Sequence, residues 1–97
     1  MSKGATEMKI PVHLYSNLQR YTGNQAVVET HGSTVGECLD NLVEKYPALR
    51  PLIFNENGQV LSGVYISINL ESPKSETKDQ PLRSGDRLYI ILIVAGG

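Results

Sequence analysis

The run Leu88-Tyr-Ile-Ile-Leu-Ile-Val94 constrains this chain more than any other segment. With Ala95 it is the longest apolar stretch, far short of the roughly 20 residues that a membrane-spanning helix needs. It therefore reads as a strand that the rest of a small domain must cover. Directly after it stand Ala95-Gly96-Gly97. A pair of residues without side chains can thread a narrow cleft that any Cβ would block. The terminal carboxylate is then the last group presented. Taken alone, such a pair reads equally well as a frayed end without a role or as a reactive tail.

The 97 residues suffice for one core and not for two. Nine basic residues against 10 acidic ones leave no electrostatic footprint for nucleic acid or an anionic membrane. Residues 1–7 contain no apolar stretch, so they are no secretory signal and read as a flexible N-terminus. The single cysteine excludes an internal disulfide framework and fits a reducing compartment. The expectation is a soluble, cytoplasmic protein with one domain over residues 8–94 and a flexible tail over 95–97.

Ile10, Val12 and Leu14 alternate with Lys9, Pro11, His13 and Tyr15, the period of a strand with one buried face. Pro11 has no N–H, which places it at an unpaired or bulged side of that strand. Ser16 to Gln25 reads as a loop, and Ala26 to Thr30 as a second strand. Thr34-Val-Gly-Glu37 fits a capping box, in which hydroxyl and carboxylate each satisfy an orphan backbone N–H. Val35, Leu39, Leu42, Val43 and Tyr46 then form an apolar stripe at helical period, ended by Pro47. Leu49, Leu52, Ile53 and Phe54 read as a core-facing connection, Asn55 to Gly58 as a turn, and Val64, Ile66 and Ile68 as the buried side of a third strand. Leu70 to Gln80 is a charged loop and Ser84-Gly85-Asp86 a turn into the last strand. Strand, strand, helix, strand, strand predicts an α+β roll: a mixed sheet of four to five strands with one main helix across a face.

In this order and at these spacings the residues resemble the ubiquitin-like sulfur carriers of the MoaD, ThiS and CysO type, which share the β-grasp fold. The pieces that carry the resemblance are Leu18-Gln-Arg-Tyr-Thr-Gly23, Ser33-Thr-Val-Gly-Glu37 with Leu39, Leu42 and Tyr46-Pro47, Ile68-Asn69, Pro81 to Asp86, and Val94-Ala-Gly-Gly97. The chain departs in having Leu92 and Ile93 where members often carry proline, and it is longer than a minimal MoaD or ThiS. Its length resembles CysO-type and longer MoaD-like members. The resemblance implies that an ATP-dependent, ubiquitin-activating-type enzyme adenylates Gly97, which becomes a thiocarboxylate. Ala95 and Gly96 would thread into that partner, and a molybdopterin-synthase or cysteine-synthase type of enzyme would accept the sulfur. On this reading the chain is a protein cosubstrate, with no catalytic residue, cofactor or metal of its own, and ATP belongs to the partner. A protein modifier joined to lysines through Gly97 and an interaction module with an idle tail are the alternatives.

One feature of the last strand points to partners from the residues alone. Leu88, Ile90, Leu92 and Val94 can face the core, yet Tyr89, Ile91 and Ile93 on the other side are also large, where a one-faced sheet should be polar. Either the long loop covers them or they form a docking patch beside the reactive end. Cys38, at the edge of the helical stripe, reads as an inert buried thiol. His13 and His31 read as surface histidines with no ligand partners at metal-binding spacing. Glu37 reads as a cap, and Gly23, Gly58 and Gly63 as turn glycines.

Overall fold

The computed structural model describes residues 8–70 and 79–92, with Ser16 described by its backbone. The expected flexible segments 1–7 and 95–97, and Ile93 and Val94 of the last strand, lie outside the described residues. Strand β1 (Lys9–Leu14) is followed by a short helix α1 (Ser16–Gln19), a 3-10 turn at Arg20–Thr22, and β2 (Val27–His31). The main helix α2 (Val35–Lys45) comes next, then a 3-10 turn at Pro47–Leu49 and a four-residue helix α3 (Arg50–Ile53). Strands β3 (Val64–Ile68) and β4 (Leu88–Leu92) complete a four-stranded sheet in the order β2-β1-β4-β3. β1 and β4 run parallel in its centre, with antiparallel β2 and β3 outside them.

Alternation explains why the sheet has one buried face. Ile10, Val12, Leu14, Val28, Val64, Ile66, Leu88 and Ile90 point to the same side and are almost wholly removed from water. Val35, Cys38, Leu39, Leu42 and Val43, at helical spacing on α2, close over them. Each buried aliphatic side chain contributes about 1.5–3 kcal/mol, so this layer contact is the main source of stability. Leu18, Leu49, Ile53, Phe54 and Leu82 seal the rim of the same cluster.

The start of α2 is fixed by its sequence. Thr34 is extended and its hydroxyl accepts from the Glu37 N–H at 3.2 Å. The Glu37 carboxylate reaches back to accept from the N–H and hydroxyl of Ser33, at 2.7 and 2.9 Å. The capping box therefore forms, with its main return bond one residue before the cap. These bonds hold Glu37 ionised below its ordinary carboxylate range. Cys38 is fully buried, and burial pushes its thiol up, against a hydrogen bond with Thr30.

Ser16 to Gln25 is not a plain loop. α1 and the following 3-10 turn occupy most of it, ending at Gly23 in the left-handed region at φ 67°. Leu18 and Thr22 are the reason: both are buried, and the Thr22 hydroxyl bonds the carbonyls of Gln19 and Gln25. Tertiary burial outweighs the weak helical propensity of so short a segment.

Pro11 sits in a central strand at a place its chemistry allows. The N–H of Leu14 bonds Ala26 O and that of Gly32 bonds Met8 O, so the even-numbered backbone groups of β1 face β2. Pro11 turns its nitrogen the other way, where the β1–β4 ladder begins only at Val12 opposite Leu88. On β2 the odd-numbered groups face outward. Lys45 Nζ donates to Glu29 O, and the His31 N–H donates to Asn41 Oδ1 at 3.0 Å, so two side chains of α2 occupy that edge.

Candidate functional site

The candidate site is the end of β4 together with the sheet face turned away from α2. Two neighbours set the course of β4. On one side it pairs with β3 from Leu88–Ile68 to Leu92–Val64. On the other it pairs with β1 only as far as Leu14–Ile90, because β1 turns off into α1. Asn17 Nδ2 donates to Leu92 O at 3.0 Å, at the last described residue before the expected tail.

The outward face is built from the alternate residues of the same strands. Tyr89 and Ile91 are each half-buried, and so are Pro11, His13 and Tyr65. Register brings them side by side: Tyr89 lies between His13 and Ser67, and Ile91 lies opposite Tyr65. Tyr15 at 50% exposure and Val27 at 45% extend the strip in the directions that β1 and β2 give it. The His13 and Tyr89 rings stack, with centroids 4.4 Å apart and planes 19° from parallel. Partial burial, and next the charge of Arg87, lower the His13 pKa, which favours the neutral ring that stacks here. His13 is thus a half-buried member of an aromatic surface and more than an isolated surface histidine. The alternation signal alone could not find it, since its partner Tyr89 is 76 positions away. His31 is also half-buried and lies apart, on an open polar groove of about 560 Å³ with Gly32, Ser33, Glu37, Asp40, Asn41 and Glu44.

Of the residues singled out in the sequence, Tyr89 and Ile91 are brought onto this face, while Ile93, Ala95, Gly96 and Gly97 lie outside the described residues. At the far end of β4, Asp86 accepts from the Arg83 N–H at 2.8 Å and from Asn69 Nδ2 at 2.9 Å. Those bonds hold its carboxyl below the usual range. They brace a turn in which Asn69 and Leu70 both take positive φ, 56° and 64°. Among the described residues no three His, Cys, Asp or Glu side chains are grouped to hold a metal ion, and no helix is long and apolar enough to cross a membrane.

A four-stranded mixed sheet crossed by one helix on one face is the β-grasp fold of the ubiquitin-like proteins. The sequence matches the ThiS family over residues 12–97, and the chain belongs to that family. It is 29% identical over 86 residues to small archaeal modifier protein 1 of Haloferax volcanii, covering 87% of this chain and 95% of the relative. The crystal structure of that modifier superposes with a TM-score of 0.80 at 26% identity, over 92% of this chain and 99% of the other. A chain from the crystal structure of the Amycolatopsis orientalis BexX/CysO complex gives 0.77 at 26% identity, over 91% and 99%. These relatives place the chain among small ubiquitin-like modifiers and sulfur carriers.

Proposed function

We propose that the chain is a sulfur carrier whose working group is the Gly97 carboxylate. Membership of the ThiS family over 12–97 carries this reading, together with the Ala95-Gly96-Gly97 end of the sequence. A carboxylate is a poor electrophile, so it must first be activated. In a ubiquitin-activating-type partner a Gly97 oxygen attacks the α-phosphorus of ATP, and pyrophosphate leaves. A sulfide equivalent then attacks the acyl carbon and expels AMP, leaving a thiocarboxylate and a released proton. The strip of Tyr89, Ile91, Tyr65 and His13 is the surface against which the partner seats the body. Fully extended, five residues past Leu92 reach about 16–18 Å, enough to enter a cleft while the sheet stays outside it. A sulfur-accepting synthase of the molybdopterin or cysteine type takes the sulfur, thiamine synthesis being a less favoured destination. The setting is the cytoplasm.

A second reading, a modifier attached to lysines, is favoured by the 29% identity to a small archaeal modifier protein. The intact mass of the protein from its own host, with fragmentation of the C-terminal peptide, tests both. Sulfur in place of one oxygen at Gly97 supports the carrier, and Gly97–lysine branched peptides support the modifier. An unmodified end after incubation with host lysate, ATP and a sulfur donor refutes both.

A further inference from the structure

The parallel ladder between β1 and β4 runs Val12–Leu88, His13–Tyr89, Leu14–Ile90. Because Asn69 N bonds Arg87 O across the β3–β4 pair, the odd-numbered groups of β4 face β3 and the even-numbered ones face β1. The Leu92 carbonyl therefore points to the β1 side. Had β1 stayed extended in this register, the backbone N–H of residue 17 would have reached that carbonyl. The chain turns into α1 instead, and Asn17 supplies its side-chain amide to the same acceptor at 3.0 Å. On the β3 side, Leu92 and Val64 are paired without exchanging backbone bonds, since Val64 N–H is given to Leu61 O.

The amide is held in place by its neighbours. Leu18 is wholly buried, its N–H bonds Tyr15 O, and Gln19 Nε2 donates to Leu14 O at 2.9 Å. Asn17 itself is exposed, so core packing gives no other reason for an amide at this position.

We infer that Asn17 is a positioning residue for the reactive end, closing the last rung of the ladder and holding Leu92, the last described residue before that end, to the sheet. The inference rests on the carrier reading for its functional consequence. Releasing Leu92 would lengthen by a residue the segment that a partner must order around Gly97, and ordering each further residue costs several-fold in rate. The ordering is needed where the attacking oxygen approaches phosphorus, in the step that turnover reads. The body would still dock through the face turned away from α2, so the loss falls on turnover and leaves seating intact.

The test compares the full chain with Asn17→Asp, which keeps the shape but removes the donor, and Asn17→Gln, which keeps an amide. In ¹⁵N relaxation, Asn17→Asp is expected to lower the Leu92 order parameter from about 0.85 towards 0.6 while Ile90 holds, and Asn17→Gln to restore it in part. With the host's activating enzyme, ATP–pyrophosphate exchange should show kcat about 3- to 10-fold lower for Asn17→Asp at unchanged KM. With an active wild type, an unchanged kcat overturns the inference, and a raised KM at constant kcat makes Asn17 a docking contact instead. If the wild type is not activated at all, the carrier reading fails, and an unchanged Leu92 order parameter then overturns the clamp separately.

Discussion

Replacing Gly32 with alanine tests how closely β2 approaches α2. Gly32 is buried at the end of β2, its N–H bonded to Met8 O at 3.1 Å as the last rung toward β1. A Cβ built there would lie 2.7 Å from Glu37 Cβ, 3.0 Å from Cys38 N and 3.1 Å from Glu37 C. Carbon pairs rest at about 3.5–4.0 Å, so the first turn of α2 must retreat by about 1 Å. Two of the three neighbours are backbone atoms, so no rotamer change relieves the clash. The retreat pulls on the Glu37–Ser33 and Thr34–Glu37 bonds and opens a gap beside Val35. Overpacking of this kind costs about 1–3 kcal/mol. A domain of this size loses about 4–8 °C in melting temperature per kcal/mol, so the fall should be about 4–24 °C by calorimetry or circular dichroism. Gly23→Asn is the control, because Gly23 has open space around it and asparagine tolerates its positive φ. It should melt close to wild type. A Gly32→Ala melt within about 2 °C of wild type would refute the close approach.

The other predictions concern acid stability and docking. Glu37 and Asp86 are both held below their ordinary values of 4.5 and 3.8 by hydrogen bonds in the folded state. The unfolded chain binds these protons at higher pH than the native one, so their stabilisation is complete above about pH 5 and is lost as pH falls through the native values. The double variant Glu37→Gln, Asp86→Asn should flatten the acid limb of urea midpoints taken from pH 6 to 2, and an unchanged limb argues against both groups. Ile91→Thr keeps a β-branched residue opposite Tyr65 and so should fold. It should raise KM for the activating enzyme about 5-fold at constant kcat, the reverse of the split expected for Asn17, and an unchanged KM removes Ile91 from the docking face.

What the sequence made legible and what it hid follows from the range of each interaction. Thr34, Glu37 and the stripe from Val35 to Val43 are local signals, and α2 begins and packs as they require. The alternation of Ile10, Val12 and Leu14 named the buried face of β1 for the same reason. The pairing order does not follow from periodicity: that β1 and β4 lie parallel in the centre became visible only in the folded sheet. Short elements held by burial escaped: α1 exists because Leu18 has a pocket in the core, a fact that nothing within four residues of it announces. The Asn17–Leu92 bond and the His13–Tyr89 stack, each about 75 positions apart, became visible only once β1 and β4 lay side by side. Cys38 read as inert, and its full burial agrees.

The two α2 side chains on the outer edge of β2 bear on how such a molecule lives in a crowded solution. On the proposed carrier reading, a free end that enters other proteins, together with sheet edges that could receive it, is the raw material of a polymer. Lys45 and Asn41 engage Glu29 O and His31 N, the consecutive outward groups with which an added strand would first register. A stray end from a neighbouring copy meets a lysine and an asparagine at this border before it meets backbone. The helix thereby acts as a fence as well as a lid, with Lys45 and Asn41 standing at the outer border of β2.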